Sequence, residues 1–365
     1  MSLQQRILLT LNSILNKFDL NLIRSSEIEK NYSLQFKYEK LLQRLNVSDE
    51  LLFEPSHNKL TLPEDAEKYL QFNNPRLIEL KQRYQVLASP VIDPSRWTES
   101  FVSSVDKLQF FRGDYVYVWQ FRNINTELHY WLITYYIKTI DKLGLLEILE
   151  EDSLFGCYTF STIDNLCVSR DLLDSILEIY FLEESIKISA MSNLKVLDIG
   201  AGYGRLAHRM VKALPNIEKV FCVDAIAEST FISEYYLRFR GVDKKAAVIP
   251  LDDLDDVLAN ESINLAINIH SFSECTLASI KAWLEILQKY KIEYLMIVPN
   301  YPYNKQIDNQ KVELLTNEKN GEKLDFLPVI ESSGYKLLAS QPKYLDPVVQ
   351  KHGISPTYYY LFQLA

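Results

Sequence analysis

A nine-residue run at positions 196–204, Val-Leu-Asp-Ile-Gly-Ala-Gly-Tyr-Gly, constrains this chain more than any other feature. The segment Leu194–Ile199 is apolar and partly β-branched apart from Asp198, as a central parallel strand covered on both faces should be. Three glycines follow that allow positive φ and a close approach of main-chain N–H groups to a ligand: Gly200, Gly202 and Gly204. The run predicts a buried strand, a ligand-binding turn and a helix over Arg205–Leu214.

The spacing of the glycines argues against a dinucleotide such as NAD. The dinucleotide fingerprint has a third glycine three residues after the second, where this chain has Arg205. Downstream, Lys219–Asp224 reads as a second strand that ends in an acid about 20 residues past the turn, the distance at which a carboxylate reaches ribose hydroxyls. Glycine-rich turns also occur in α/β proteins for close packing alone, but the position of Asp224 favours a nucleoside-containing cofactor.

The strand, the three-glycine turn, the helix and the second strand with its terminal Asp together resemble the first two motifs of the class I S-adenosylmethionine-dependent methyltransferases. The adenosyl sulfonium of that cofactor carries no phosphate, which suits a turn with neither a Walker lysine nor the third dinucleotide glycine. The resemblance implies S-adenosyl-L-methionine as cofactor and nine cofactor-binding positions: Asp198, Gly200, Ala201, Gly202, Tyr203, Gly204, Asp224, Asp252 and Asn268. In the family, the position that matches Asp252 bonds the adenine amino group.

Strand and helix patterns alternate from Ser169 to the C-terminus. The further strand candidates are Ala246–Pro250, Asn264–His270, Tyr294–Val298, Tyr335–Ala339 and Tyr358–Leu364. We predict an α/β fold in which residues 169–365 form a Rossmann-like, seven-stranded methyltransferase sheet. Residues 1–168 are predicted to be an additional, mainly helical region that serves substrate binding or oligomerisation. Its first apolar stripe could be a packed face, a dimer contact or a membrane-surface helix: Ile7, Leu8, Leu11, Ile14, Leu15 and Phe18.

Length, charge and cysteine content limit the class of protein. A chain of 365 residues is long for one core and suggests a catalytic domain plus a further region. The net charge of −9 argues against a DNA or RNA partner, because nucleic-acid binding depends on a dense positive surface. Four widely separated cysteines indicate neither a disulfide framework nor a zinc site: Cys157, Cys167, Cys222 and Cys275. Such thiols suit a reducing compartment, so we expect a cytoplasmic protein.

The N-terminal residues do not have the pattern of a signal peptide. Asn12 and Asn16 interrupt the first apolar stretch, and no small-residue cleavage signature follows it. No apolar run approaches the length that spans a bilayer, so we expect no transmembrane segment.

The loop Leu251–Asp256 contains four acids, which raises the question of a divalent metal ion. Hard cations prefer oxygen ligands, and some sugar methyltransferases hold such an ion with carboxylates. A helix that begins in this loop would equally attract acids to its positive N-terminus. We prefer the second explanation, and therefore leave a divalent metal open but predict no metal site.

His270 ends the fourth predicted strand, at the edge of the sheet where ligands bind in open α/β folds. A histidine there is either a hydrogen-bonded strand-end residue or a general base, and we predict the base. The following Ser271–Glu274 matches a capping box for a helix that runs to about Tyr290, which accounts for Glu274 structurally.

The helix opened by Ser169 precedes the first motif. Three of its residues could reach a ligand carboxylate or substrate hydroxyls, or merely form an N-terminal charge pair: Arg170, Asp171 and Asp174.

Aromatic residues are dense between Leu108 and Ile140, and they alternate with polar ones. The rings are Phe110, Phe111, Tyr115, Tyr117, Trp119, Phe121, Tyr130, Trp131, Tyr135 and Tyr136, and the interleaved polar residues are Arg112, Asp114, Gln120 and Arg122. Rings beside polar groups can bind a sugar, because a ring packs on the C–H face of a pyranose while polar neighbours bond its hydroxyls. A core rich in large side chains explains the same pattern and is the commoner case.

The chain from about Leu108 onward resembles a family of bacterial sugar O-methyltransferases. The resemblance lies in Gly-Ala-Gly-Tyr-Gly-Arg-Leu at 200–206, Asn-Ile-His-Ser-Phe-Ser-Glu at 268–274, Tyr-Val-Trp-Gln-Phe-Arg at 117–122 and Glu-Asp-Ser-Leu-Phe-Gly at 151–156. It implies a sugar or glycan acceptor whose hydroxyl, partly deprotonated by His270, attacks the sulfonium methyl group. Two alternatives stay open: a small-molecule or protein N-methyltransferase, and a non-catalytic scaffold with a methyltransferase fold. A homo-oligomer is also open.

Overall fold

A computed structural model describes residues 62–92, 97, 108–113, 126–162, 164–300 and 313–365. Apart from Thr126, these residues belong to one compact unit drawn from 57–121 and 127–365. The predicted apolar stripe from Ile7 to Phe18 lies outside the described residues, as do four of the aromatic residues: Tyr115, Tyr117, Trp119 and Phe121. Within the described part, no helix has both the length and the apolar character needed to cross a membrane.

A seven-stranded mixed sheet forms the core of this unit. Its strands are β1 (Leu194–Ile199), β2 (Ile217–Val223), β3 (Ala246–Ile249), β4 (Leu265–Ile269), β5 (Tyr294–Val298), β6 (Tyr335–Pro342) and β7 (Tyr358–Leu364). Their spatial order is β3-β2-β1-β4-β5-β7-β6, with β1 to β5 parallel and β7 antiparallel to β5 and β6. The predicted α/β fold with a Rossmann-like, seven-stranded sheet is confirmed.

Strand β1 is central because it pairs in parallel with both β2 and β4. Val196 lies opposite Val220 of β2 on one side and Leu265 of β4 on the other. All six residues of β1 except Lys195 are buried, as expected of a strand covered on both faces. The strand order reverses here, since β2 and β3 lie to one side and β4 and β5 to the other. Ligands of open α/β sheets bind at such a reversal, beyond the carboxyl ends of the strands.

The described α-helices are α1 (Ala66–Tyr69), α2 (Pro75–Gln85), α3 (Thr126–Ile140), α4 (Leu145–Ile148), α5 (Arg170–Ile186), α6 (Arg205–Ala213), α7 (Ala227–Phe239), α8 (Leu254–Asn260), α9 (Leu277–Lys289), α10 (Leu327–Ser332) and α11 (Pro347–His352). Helix α5 begins where predicted, because the Ser169 hydroxyl accepts a hydrogen bond from the N–H of Leu172 at 3.1 Å. A short antiparallel hairpin pairs Phe160–Ser161 with Cys167–Val168 just before it.

The helix after β4 begins later than predicted. Ser271–Glu274 forms a 3₁₀ turn, and α9 starts at Leu277 with Thr276 as its N-cap, whose hydroxyl oxygen accepts from the N–H of Ser279 at 3.2 Å. The predicted capping box was wrong because an S-x-x-E pattern also suits a 3₁₀ turn. The carboxylate of Glu274 instead accepts from the indole N–H of Trp97 and from Nδ2 of Asn300 at 3.1 Å.

Candidate cofactor and acceptor site

The glycine turn lies directly at the carboxyl end of β1. Gly200, Gly202 and Gly204 have φ values of 70°, 57° and 85°, in the region that favours glycine. A Cβ added to Gly200 would lie 2.3 Å from Oγ of Ser271, in the turn that follows β4. At Gly200 the turn therefore has room for main chain only.

Asp224 lies beside this turn, at the end of β2. Its Oδ2 accepts a hydrogen bond from the N–H of Gly202 at 3.0 Å, and its Oδ1 accepts from the N–H of Ile226 at 2.9 Å. The turn is also attached to β2 by the N–H groups of Gly200 and Ala201, which donate to the Val223 carbonyl at 2.9 and 3.2 Å. Burial raises the pKa of Asp224 to about 7 against the opposing effect of the two N–H donors.

Asp198 is buried in β1, one residue before the strand ends. Burial raises its pKa to about 7, although the guanidinium of Arg205 acts in the opposite direction. Two carboxyl groups with raised pKa values thus lie at the ends of neighbouring strands, an arrangement that is typical of functional sites.

Asn268 lies within β4 and is fully buried. Its Nδ2 donates to the carbonyl of Ile199 at 3.1 Å, and its Oδ1 accepts from the N–H of Phe272 at 2.9 Å. The side chain therefore joins the end of β1 to the turn after β4. It lies next to the glycine turn as predicted, and its amide group holds the protein's own main chain.

Tyr203 belongs to the turn, but its side chain points into an aromatic cluster. The ring is 3% exposed and lies 5.2 Å from the ring of Phe111 and 5.0 Å from that of Tyr236. Its hydroxyl donates to the carboxylate of Asp171 on α5. Any contact with a ligand would therefore come from the main chain of Tyr203 rather than from its ring.

Asp252 lies in the 3₁₀ turn that follows β3, Leu251–Asp253. Its Oδ2 accepts from Nε of Arg83 at 2.7 Å, and Nη2 of the same guanidinium donates to Asp253 at 2.7 Å. The next two acids of the loop are in the first turn of α8, as the helix explanation predicted. Across the described ranges, no group of three or more His, Cys, Asp or Glu side chains is placed to hold a metal ion.

His270 follows β4 with a φ of 67°, which is uncommon for a residue other than glycine and often marks a functional site. Its N–H donates to the carbonyl of Val298 at 2.7 Å. The ring atom Nδ1 is buried, and none of the described residues forms a hydrogen bond with it. Burial lowers the pKa of His270 to about 3, and the nearby Arg170 guanidinium adds to this effect. The imidazole is therefore neutral at neutral pH.

A buried charge cluster faces His270 from α5 and from the segment after β6. Asp174 accepts from Nζ of Lys343 at 2.6 Å and from Nε of Arg170 at 3.3 Å. Burial acts to raise the pKa of Asp174, but the two cations overcome this effect and lower it to about 2. Asp174 and Arg170 were predicted as candidates, whereas Lys343 was missed because no local motif surrounds it. The available signal was the position of Lys343 directly after β6. Because β6 runs parallel to β5, its carboxyl end lies at the same edge of the sheet as that of β5.

The described members of the aromatic-rich segment lie mainly in the core. Phe110, Phe111, Tyr130, Trp131 and Tyr136 are all buried. The core explanation fits these residues better than a sugar platform does.

Arg112 in the same segment is wholly buried and belongs to an ion cluster rather than to a surface. Its guanidinium contacts Glu151 at 2.6 Å, Asp152 at 3.0 Å and Asp171 at 3.4 Å. Because Asp171 also accepts from the hydroxyl of Tyr203, this cluster is connected to the glycine turn.

No protein-family model matches the chain. Among curated proteins, 77 residues are 39% identical to the release factor glutamine methyltransferase of Flavobacterium psychrophilum, a match that covers 21% of this chain and 26% of that protein. The chain therefore matches about a quarter of the length of this relative.

Solved structures of methyltransferases, including the following two, align with about half of the chain. A SAM-dependent methyltransferase from Aquifex aeolicus is 16% identical, with 52% of this chain and 93% of that chain covered and a TM-score of 0.36. Magnesium protoporphyrin IX methyltransferase from Synechocystis PCC 6803, solved with bound SAM, is 10% identical, with 54% and 83% covered and a TM-score of 0.37.

Proposed function

We propose that this protein is an S-adenosylmethionine-dependent methyltransferase that transfers a methyl group to a hydroxyl of a sugar or glycan. One observation carries the cofactor assignment: the Asp224 carboxylate is held beside the glycine turn by the N–H of Gly202 at 3.0 Å. A carboxylate at this position is suited to accept hydrogen bonds from ribose hydroxyls. The 77-residue likeness to a protein named as a methyltransferase supports the same reaction class. The sugar acceptor comes from the sequence resemblance at 117–122, 151–156 and 268–274.

The residues at the end of β1 fit an adenosyl cofactor. Gly200 has no space for a Cβ because Ser271 packs against it, so the glycine turn lies directly against the turn that follows β4. The turn lacks the lysine that phosphate groups require, which suits a cofactor without phosphate. We assign cofactor binding to Asp198, the turn 200–204, Asp224, Asp252 and Asn268.

The cofactor supplies, when bound, a methyl group that a sulfonium has already activated. The work left to the chain is to align the acceptor oxygen with that methyl group, which supplies much of the acceleration. We assign His270 as the base: its neutral ring would take the hydroxyl proton while the acceptor oxygen forms its bond to the methyl carbon and the S–C bond breaks. S-adenosylhomocysteine and the methylated acceptor are then released.

We further propose that residues 169–365 carry the catalytic machinery and that 1–168 contribute to acceptor binding or to a homo-oligomer. The buried cluster of Arg170, Asp174 and Lys343 faces His270, and it offers charged groups for the acceptor side of the site.

A protein N-methyltransferase is the second candidate, and one observation favours it. The relative with 39% identity is named for methylation of a glutamine in a release factor. The rate of methyl transfer to a nitrogen would depend on His270 to a different extent than transfer to a hydroxyl. The two candidates therefore differ in the acceptor and in the effect of removing this base.

The test is transfer of a radiolabelled methyl group from S-adenosylmethionine to three acceptor sets: free and nucleotide-linked sugars, glycan fractions, and a release factor. Label in a sugar hydroxyl, located by NMR as an O-methyl ether, would support the proposal. Label only in the release factor would replace it with the second candidate. Binding of cofactor without transfer to any set would contradict the sugar assignment, and a folded protein that binds no cofactor would point to the scaffold.

A further inference from the structure

The segment 75–92, together with Trp97, contacts elements that follow three strands of the sheet, β2, β3 and β4. Arg76 on α2 pairs with Glu234 of α7, the helix that follows β2. Further along, the carbonyl of Pro90 accepts from the hydroxyl of Ser279 on α9, at 2.6 Å, and Trp97 donates to Glu274 after β4. Between these contacts the segment meets the turn after β3. It therefore runs along the edge of the sheet where Asp224 and the glycine turn lie.

The hydroxyl of Tyr84 joins two of these loops. It accepts from the N–H of Leu251 at 2.9 Å and bonds Oγ1 of Thr230 at 2.8 Å. Thr230 is in the first turns of α7, close to Asp224, whereas Leu251 opens the turn after β3. Tyr84 is buried, and burial raises the pKa of its phenol to about 12, with a smaller contribution from the carboxylates of Asp224 and Asp252. The hydroxyl thus connects the start of α7, which follows Asp224, to the turn that carries Asp252.

Arg83 holds the acidic turn from the outside. Its guanidinium donates through Nε to Oδ2 of Asp252 and through Nη2 to Asp253, both at 2.7 Å. No described residue donates to Oδ1 of Asp252, so that atom is left to accept a hydrogen bond from a ligand. A guanidinium that bonds two carboxylates restricts their rotamers more than a single hydrogen bond would.

We propose that helix α2 completes the nucleoside half of the cofactor site, with Arg83 and Tyr84 as its positioning residues. Arg83 orients Asp252 toward the amino group of the adenine ring, and Tyr84 sets the distance between the loops that enclose this ring. The proposal rests on the proposed function, and it makes Arg83 and Tyr84 part of the cofactor site although they lie more than 110 residues before the glycine turn.

The test measures the preference for an adenine amino group. S-adenosylhomocysteine and its analogue without the purine 6-amino group are titrated calorimetrically into the wild type, Arg83→Gln, Arg83→Lys and Tyr84→Phe. We expect the wild type to prefer S-adenosylhomocysteine about tenfold, the value of one well-oriented hydrogen bond. Arg83→Gln should reduce this preference to about twofold, and Arg83→Lys should restore part of it. Tyr84→Phe should weaken both ligands about three- to tenfold.

Arg76→Gln is the matched control, because it removes a guanidinium–carboxylate pair from the same helix without touching the turn after β3. It should keep the wild-type preference. If Arg83→Gln also kept that preference, the role of α2 would be wrong even though the cofactor binds. If the wild type bound neither ligand, the proposed function itself would fail. Should Arg83→Gln not fold, Asp252→Asn must show the same loss of preference, and its absence would overturn the proposal.

Discussion

Gly200 and Ser271 lie so close together that Gly200 has no space for a side chain. A Cβ on Gly200 would lie 2.3 Å from Oγ and 2.6 Å from Cβ of Ser271, which is a steric clash. The two residues follow β1 and β4, the neighbouring strands whose ends carry the glycine turn and His270. The close approach packs the glycine turn directly against the turn that follows β4. It also makes the turn intolerant of a side chain.

Gly200→Ala should lower the free energy of unfolding by about 1–3 kcal/mol, because alanine at a φ of 70° is strained and its Cβ meets Ser271. Urea denaturation measures the change. The double variant Gly200→Ala/Ser271→Gly should recover the part that is due to the collision. A single variant as stable as the wild type would show that the two residues are further apart.

His270→Ala should reduce kcat about 100-fold on the true acceptor and leave the Kd of S-adenosylhomocysteine nearly unchanged. The lower end of the usual range for a general base is expected, because the pKa of about 3 makes this imidazole a weak one. Steady-state kinetics and calorimetry measure the two quantities, and His352→Ala on α11 is the control. Full activity in His270→Ala would refute the base assignment and favour an N-methyltransferase.

Arg112→Met should destabilise the fold by about 3–5 kcal/mol, because it leaves the carboxylates of Glu151 and Asp171 buried without this cation. Burial acts to raise the pKa of Glu151, and Arg112 and Arg209 together hold it at about 2. The exposed pair of Lys142 and Glu184 is the comparison: Lys142→Met should cost less than about 1 kcal/mol. Equal losses in the two variants, measured by urea denaturation, would contradict the structural role of the cluster.

Asp198 should make the fold less stable as the pH rises from about 4 to about 7. Burial raises its pKa to about 7 in the folded state, whereas the unfolded chain releases this proton near pH 4, so the folded state binds more protons between these values. In Asp198→Asn this loss of stability with rising pH is absent. Its free energy of unfolding, relative to the wild type, should increase by ~2 kcal/mol between pH 5 and pH 8. A difference that stays constant over this range would show that the pKa of Asp198 is not raised.

The sequence predicted the sheet closely, because strands buried on both faces have a strong local signal. Tyr294–Val298 and Tyr358–Leu364 agree with β5 and β7 to the residue. The prediction for β6 stopped at Ala339, whereas the strand runs to Pro342 past an irregularity between Leu337 and Ala339. The local pattern does not show where a partner strand allows pairing to resume.

The residues around the site were less predictable than the turn itself. The glycine turn and Asp224 lie within one strand–helix–strand unit, so their spacing is visible in the sequence. Lys343 meets Asp174 across 169 residues, and Arg83 meets Asp252 across the same separation. Contacts of that range depend on the packing of distant elements, and neither side chain is part of a motif that would have marked it.

The central claim, that Asp224 and the glycine turn bind an adenosyl cofactor, is tested most directly by calorimetric titration of S-adenosylhomocysteine. The titrated proteins are the wild type, Asp224→Ala and the matched control Asp256→Ala, an exposed acid in the first turn of α8. We predict saturable one-site binding to the wild type and the control, and a loss of at least about tenfold in Asp224→Ala, since hydrogen bonds to a charged group are worth about 1.5–3 kcal/mol. A folded wild type that binds no S-adenosylhomocysteine, or an Asp224→Ala variant that binds as tightly as the control, would contradict the claim.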